Sequence, residues 1–117
     1  MLTPARSFQV PERHRDLYRI LDVVVGTDVS LAFTTRRGTG YYKVPSLRGL
    51  WLRGPLEHNG SVATLEDWFD ARRLRKDYVP TGYRGYGAST RAVSGHEYGV
   101  DLPDEDKKAL IAFLKTL

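Results

Sequence analysis

Apolar positions along this 117-residue chain fall into three helical stretches, separated by long segments that keep no period. Leu17, Ile20, Leu21 and Val24 recur at i, i+3, i+4 and i+7, which predicts a first helix with one apolar face. Pro11 suits its first turn, and Gly26 is able to take the left-handed conformation that ends it. Leu65, Trp68 and Phe69 share one face of a second, short helix. Thr64 is placed to cap it by accepting from the Asp67 amide, and Glu66 and Asp67 suit its positive end. A last helix is predicted from about Asp104, with Leu110, Phe113, Leu114 and Leu117 at helical spacing, acids at its start and lysines later.

The remaining segments read differently. Residues 1–10 are predicted to be irregular, with Pro4 and Pro11 as punctuation. Residues 41–60 carry glycines at 49, 54 and 60 and fit an ordered, irregular wall. Residues 78–99 form a Tyr- and Gly-rich loop, of a length that usually accompanies function or wraps a ligand. Together these features predict a single all-α domain over residues 1–117, with about three helices and long ordered loops.

Composition narrows the chemistry. The chain has no cysteine, which excludes disulfides, thiolate metal sites, a thiol nucleophile and covalent haem attachment through CxxCH. The net charge is +4, a balance that suits an acidic partner. Arginines spread along the chain without a nucleic-acid motif, so no nucleic-acid partner is expected. No apolar run is long enough for a membrane span, and "MLTPARSFQVPERHRD" shows no apolar signal core.

Three histidines are the candidate ligands. His14, in "ERHRD", lies on the polar face of the first predicted helix and reads as a solvated residue. His58, in "GPLEHNG", suits a turn residue bonded to nearby backbone as well as it suits a functional role. His96, in "SGHEYG", is flanked by glycines that let backbone approach a cofactor, and neutral imidazole is a common metal and haem ligand. A single loop histidine is more often structural. Catalytic constellations are weaker. Glu66, Asp67 and Asp70 are explained by the helix dipole, Ser94 and His96 lack a nucleophile elbow and an orienting acid, and HExxH is absent. No catalytic residue is assigned.

"YYKVPSLRGLWLRGPLEHNGSVATLEDWFD", residues 41–70, resembles the C-terminal haem domain of bacterial di-haem cytochrome c proteins, a group that includes di-haem peroxidases and relatives of rubber oxygenase. The matching positions are Lys43, Pro45, Ser46, Leu47, Arg48, Pro55, His58, Asn59, Gly60, Ala63, Thr64, Leu65 and Glu66. The tail "GHEYGVDLPDEDKKALIAFLKTL" resembles the closing segment of cytochrome c folds, so the likeness covers about residues 26–117. It implies a cytochrome c-like, periplasmic protein for haem binding and electron transfer. His96 would be the iron ligand, Arg48 the partner of a haem propionate, and His58 would order the loop beneath. Pro45, Leu47 and Trp51 would line the pocket, with Leu56, Trp68 and Phe113 as further apolar walls.

Two departures qualify the likeness. The CxxCH motif is missing, and Arg72 stands about where the peroxidase branch places a methionine ligand. The resemblance therefore implies a haem, or a haem-bearing polypeptide, supplied by a redox partner or by an upstream segment. Non-covalent haem binding and a homo-oligomer remain compatible with it. So does a haem-free interaction module on the same scaffold. Whether the chain acts as an enzyme is left open, since the resembled proteins include peroxidases and oxygenases.

Overall fold

Glycine and proline spacing decides how far each helix of this protein can run. The computed structural model describes residues 2–4, 29–34, 40–86 and 89–117, in two compact units. The first unit comprises residues 1–45 and 94–96, and the second comprises residues 46–93 and 97–117. The helix expected over residues 11–24, with His14, lies outside the described residues.

In the first unit, β1 (Leu2–Pro4) pairs antiparallel with β2 (Tyr41–Lys43), with Leu2 opposite Lys43, Thr3 opposite Tyr42 and Pro4 opposite Tyr41. Tyr41 and Tyr42 are residue types that favour a pleated surface, and proline at a strand end removes no bond the ladder needs. Helix α1 (Val29–Thr34) precedes β2. The Gly40 amide donates to the Ala32 carbonyl at 3.0 Å, and Ala32 and Tyr41 are buried. Gly40 has φ 78°, a left-handed conformation that costs glycine little and lets the chain turn from α1 into β2.

In the second unit, α2 (Leu65–Trp68) starts as its sequence predicts. The Thr64 hydroxyl accepts from the Asp67 amide at 3.1 Å and donates to the Asp67 carboxylate at 2.7 Å. Helix α3 (Asp104–Leu114) opens with Asp104, Glu105 and Asp106 against its positive end. Leu65 and Phe69 pack with Ile111 and Leu114 to form the core, and Leu50, Leu56, Trp68 and Leu110 pack against it. Full burial of each such side chain stabilises by about 1.5–3 kcal/mol. The seam of α3 differs from the expected one: Ile111 and Leu114 face the core, while Phe113 is 58% exposed. Two 3-10 turns, Leu50–Leu52 and Ala71–Leu74, complete the unit, with an isolated bridge between Leu56 and Val62.

The all-α expectation is overturned. Among the described residues the α-helices have 6, 4 and 11 residues, and they coexist with a two-stranded sheet and long irregular stretches. Left-handed glycines at 49, 60, 85, 95 and 99 and prolines at 45, 55, 80 and 103 interrupt the chain too often for longer helices. No helix among the described residues is long and apolar enough to cross a membrane.

Exposed ion pairs set one pH response. The Glu66 carboxylate accepts from Lys115 at 2.6 Å, and that bond holds its pKa below the ordinary 4.5. Asp70 lies below 3.8 because Arg72 donates to it, and Asp77 does so because Arg75 donates to it. Carboxylates with lowered folded pKa values contribute stability that is present above the unfolded pKa and lost as pH falls through the folded one. Urea midpoints should therefore fall as pH drops below about 4. Glu66→Gln should flatten that limb slightly, because an exposed pair contributes about 0–1 kcal/mol.

Candidate functional site

The residues singled out in the sequence divide between the two units. Pro45 and His96 belong to the first unit; Leu47, Arg48, Trp51 and His58 belong to the second. His96 is partly buried and sits at φ 51°, between the left-handed Gly95 and the exposed Glu97. Positive φ in a non-glycine residue is uncommon and marks a backbone held by its surroundings. Pro45 is exposed.

Leu47, Arg48 and Trp51 do come together locally, on a pair of tight turns. Gly49 takes φ 63°, the Leu50 amide donates to the Leu47 carbonyl at 3.2 Å, and the Leu52 amide donates to Gly49 at 3.0 Å. The Gly49 amide donates in turn to the Leu117 carbonyl at 3.0 Å, which fastens these turns to the end of the chain beyond α3. Leu50 turns inward onto the core. Its neighbours turn outward: Leu47 is 49% exposed, Trp51 55% and Leu52 70%. Phe113 and Leu117, one turn apart near the same end, are exposed as well. Arg48 is exposed, and among the described residues no carboxylate or carbonyl accepts from its guanidinium. The surface is thus apolar and aromatic, with one cation left to solvent.

His58 has a local role. Its Nδ1 lies 3.0 Å from Glu57 Oε2, and its backbone amide donates to the same oxygen at 3.1 Å. Glu57 takes φ 73° and its side chain is 2% exposed, so the pair fixes the turn that leads into Asn59–Gly60. Asn59 Oδ1 accepts from the Ser61 amide at 3.1 Å and from the Ser61 hydroxyl. The expected apolar walls are split in the same way: Leu56 and Trp68 pack against the core, while Trp51 and Phe113 lie outside it.

Sequence reasoning gave no weight to Arg73, which is fully buried. Its Nε donates to the Trp68 carbonyl at 2.7 Å and its Nη1 to the Val93 carbonyl at 3.1 Å, while its guanidinium carbon stands 5.1 Å from the centre of the Trp68 ring. Burial pulls its pKa below the usual arginine value, and the charges of Glu57 and Glu97 work in the opposite direction. An arginine keeps its proton under such conditions, so a full charge is held inside the unit. Arg72, where a methionine ligand would stand in the resembled family, donates from Nε to Asp70 at 2.7 Å.

A cleft of about 380 Å³ lies elsewhere, lined by Asp67, Asp70, Arg72, Arg75, Asp77, Tyr78, Val79 and Thr81. Its charged walls do not suit an apolar ligand. Among the described residues no cluster of three His, Asp or Glu side chains is arranged to hold a metal ion. No protein-family model, curated protein or solved structure matches this chain.

Proposed function

We propose that this chain takes part in haem-dependent electron transfer, by covering one side of a haem that another polypeptide or another segment carries. The observation that supports this reading is the outward face of residues 47–52. Trp51 and Leu52 stay exposed, as does Arg48 on the preceding turn. A flat apolar macrocycle with carboxylate edges fits such a face: the aromatic and aliphatic side chains exclude water from it, and the guanidinium fork donates to a propionate. The residues therefore fit one wall of a haem site. The absence of cysteine places covalent attachment outside this chain.

His96, partly buried and at φ 51°, enters as the iron ligand on the sequence resemblance. A bound haem would supply a one-electron iron couple. The face of residues 47–52 would exclude water and neutralise a propionate, and the imidazole of His96 keeps the ligand role that the resemblance implies. Periplasmic placement and a redox partner belong to the same proposal. The second reading, a haem-free interaction module, draws on the same exposed side chains, which also suit a protein partner.

Titration of the purified chain with haemin tests whether it binds haem on its own. The haem reading expects a sharp low-spin Soret band that His96→Ala removes. Arg48→Ala should keep the band and weaken the affinity by about tenfold, the usual size of a lost charge-assisted pair. A wild-type chain that gives no low-spin spectrum at saturating haemin would exclude haem binding by this chain alone and leave a partner-carried haem or the haem-free module; a neighbouring reading frame that encodes CxxCH would then favour the partner.

A further inference from the structure

The loop after the second 3-10 turn carries a surface unrelated to the haem reading. Tyr83 and Tyr86 form an edge-to-face pair with ring centres 6.3 Å apart, and Tyr86 is 98% exposed. Arg84 and Arg91 are exposed beside them. Arg91 is brought there by its backbone, whose amide donates to the Tyr78 carbonyl at 2.7 Å. Its Nη1 lies 3.7 Å from where a Cβ on Gly85 would stand, so the guanidinium lies over that glycine.

The charges on this loop are unequal in their partners. Arg72 and Arg75 are neutralised by Asp70 and Asp77. Among the described residues, no carboxylate pairs with Arg84 or Arg91. Exposed tyrosine and arginine together are the residue types enriched at the energetic centres of protein interfaces. The aromatic pair thus lies open to water beside two guanidiniums that meet no carboxylate among the described residues.

We propose that Tyr83, Arg84, Tyr86 and Arg91 form a docking surface for the acidic face of a partner protein, in which paired carboxylates meet the two guanidiniums and apolar side chains meet the tyrosines. Charge complementarity selects this occupant over a nucleic acid. Nucleic-acid affinity grows with the number of phosphates neutralised at once, whereas this surface offers two arginines without a carboxylate partner among the described residues.

The test is fluorescence anisotropy with a labelled oligo-glutamate peptide as probe, at low and moderate salt, beside a single-stranded DNA oligonucleotide. Arg84→Gln/Arg91→Gln should weaken peptide binding by about tenfold, and Tyr86→Ala by a few-fold. Lys43→Gln/Lys108→Gln, with the same change in net charge, should alter it less than about threefold, because exposed charges outside the surface are screened. All four substituted side chains of the two double variants are exposed, so circular dichroism should be unchanged. Equal losses in the two double variants would overturn the proposal in favour of net charge alone. DNA binding tighter than peptide binding, and lost in the Arg84→Gln/Arg91→Gln protein, would overturn it in favour of a nucleic acid. No peptide binding by the wild-type protein at low salt would also overturn it.

Discussion

Replacing Arg73 by methionine should cost the second unit about 3 kcal/mol of stability, although methionine fills similar space. The guanidinium supplies donors to the carbonyls of Trp68 and Val93, and the substitution leaves both acceptors without them. A buried acceptor deprived of its donor costs about 1–3 kcal/mol. Glu57, with its side chain 2% exposed, also loses a favourable positive charge. One effect opposes these losses, since a buried cation is itself expensive and methionine removes that cost. The orphaned acceptors should outweigh it, because they stay in place whatever fills the gap. Arg73→Lys should fall between the two proteins, keeping the charge and losing the planar fork. Urea unfolding of the three proteins decides the matter: a methionine variant as stable as wild type would mean that both carbonyls find water.

Gly82→Ala should be comparably damaging, at about 2–4 kcal/mol, for a purely steric reason. A Cβ there would meet the Gly60 carbonyl oxygen at 2.3 Å and the Ser61 carbonyl carbon at 3.1 Å. Neither atom belongs to a flexible side chain. Both are held by the bonds that join the two segments, Gly82 to the Ser61 carbonyl at 3.0 Å and Tyr83 to the Gly60 carbonyl at 2.7 Å. Making room for one methyl group would break that pairing. Gly49→Ala provides the contrast. Its Cβ would meet nothing within 4 Å, but φ is 63°, so only the left-handed penalty of about 1–2 kcal/mol applies. Thermal melts in which Gly82→Ala unfolds at a lower temperature than Gly49→Ala would assign the larger loss to backbone contact. The reverse order would rule it out.

Local signals in the sequence were legible wherever one residue settles one bond. Thr64 capping α2 through Asp67 is such a case, and so is the start of α3 at Asp104. Class was harder to read, because helical spacing counts apolar positions and not the chain's opportunities to turn. Leu2–Pro4 pairing with Tyr41–Lys43 joins residues 37 to 41 positions apart, a contact that no local pattern announces. Periodicity also misjudged α3. Phe113 fits the repeat but faces outward, while Ile111 completes the core. At the candidate site, the sequence singled out Leu47, Arg48 and Trp51, and these do share a pair of turns. The importance of Arg73 was hidden because "ARRLRK" looks like a solvated basic run. Which arginine is buried depends on where residue 93 returns, and nothing in the run itself says so.

That return has a further consequence for how the chain tolerates change. The Val93 amide donates to the Arg73 carbonyl at 2.7 Å while the Arg73 side chain holds the Val93 carbonyl, so residues 73 and 93 are the two sides of a doubly fastened neck. The closure entropy of a loop grows only with the logarithm of its length, about 0.6 kcal/mol for each doubling. With the neck intact and Gly82 and Tyr83 fastened to residues 60 and 61, the stretch from Arg84 to Arg91 is free to lengthen at little thermodynamic cost. Partner choice at Tyr83 and Tyr86 can then diverge while the core beneath stays the same.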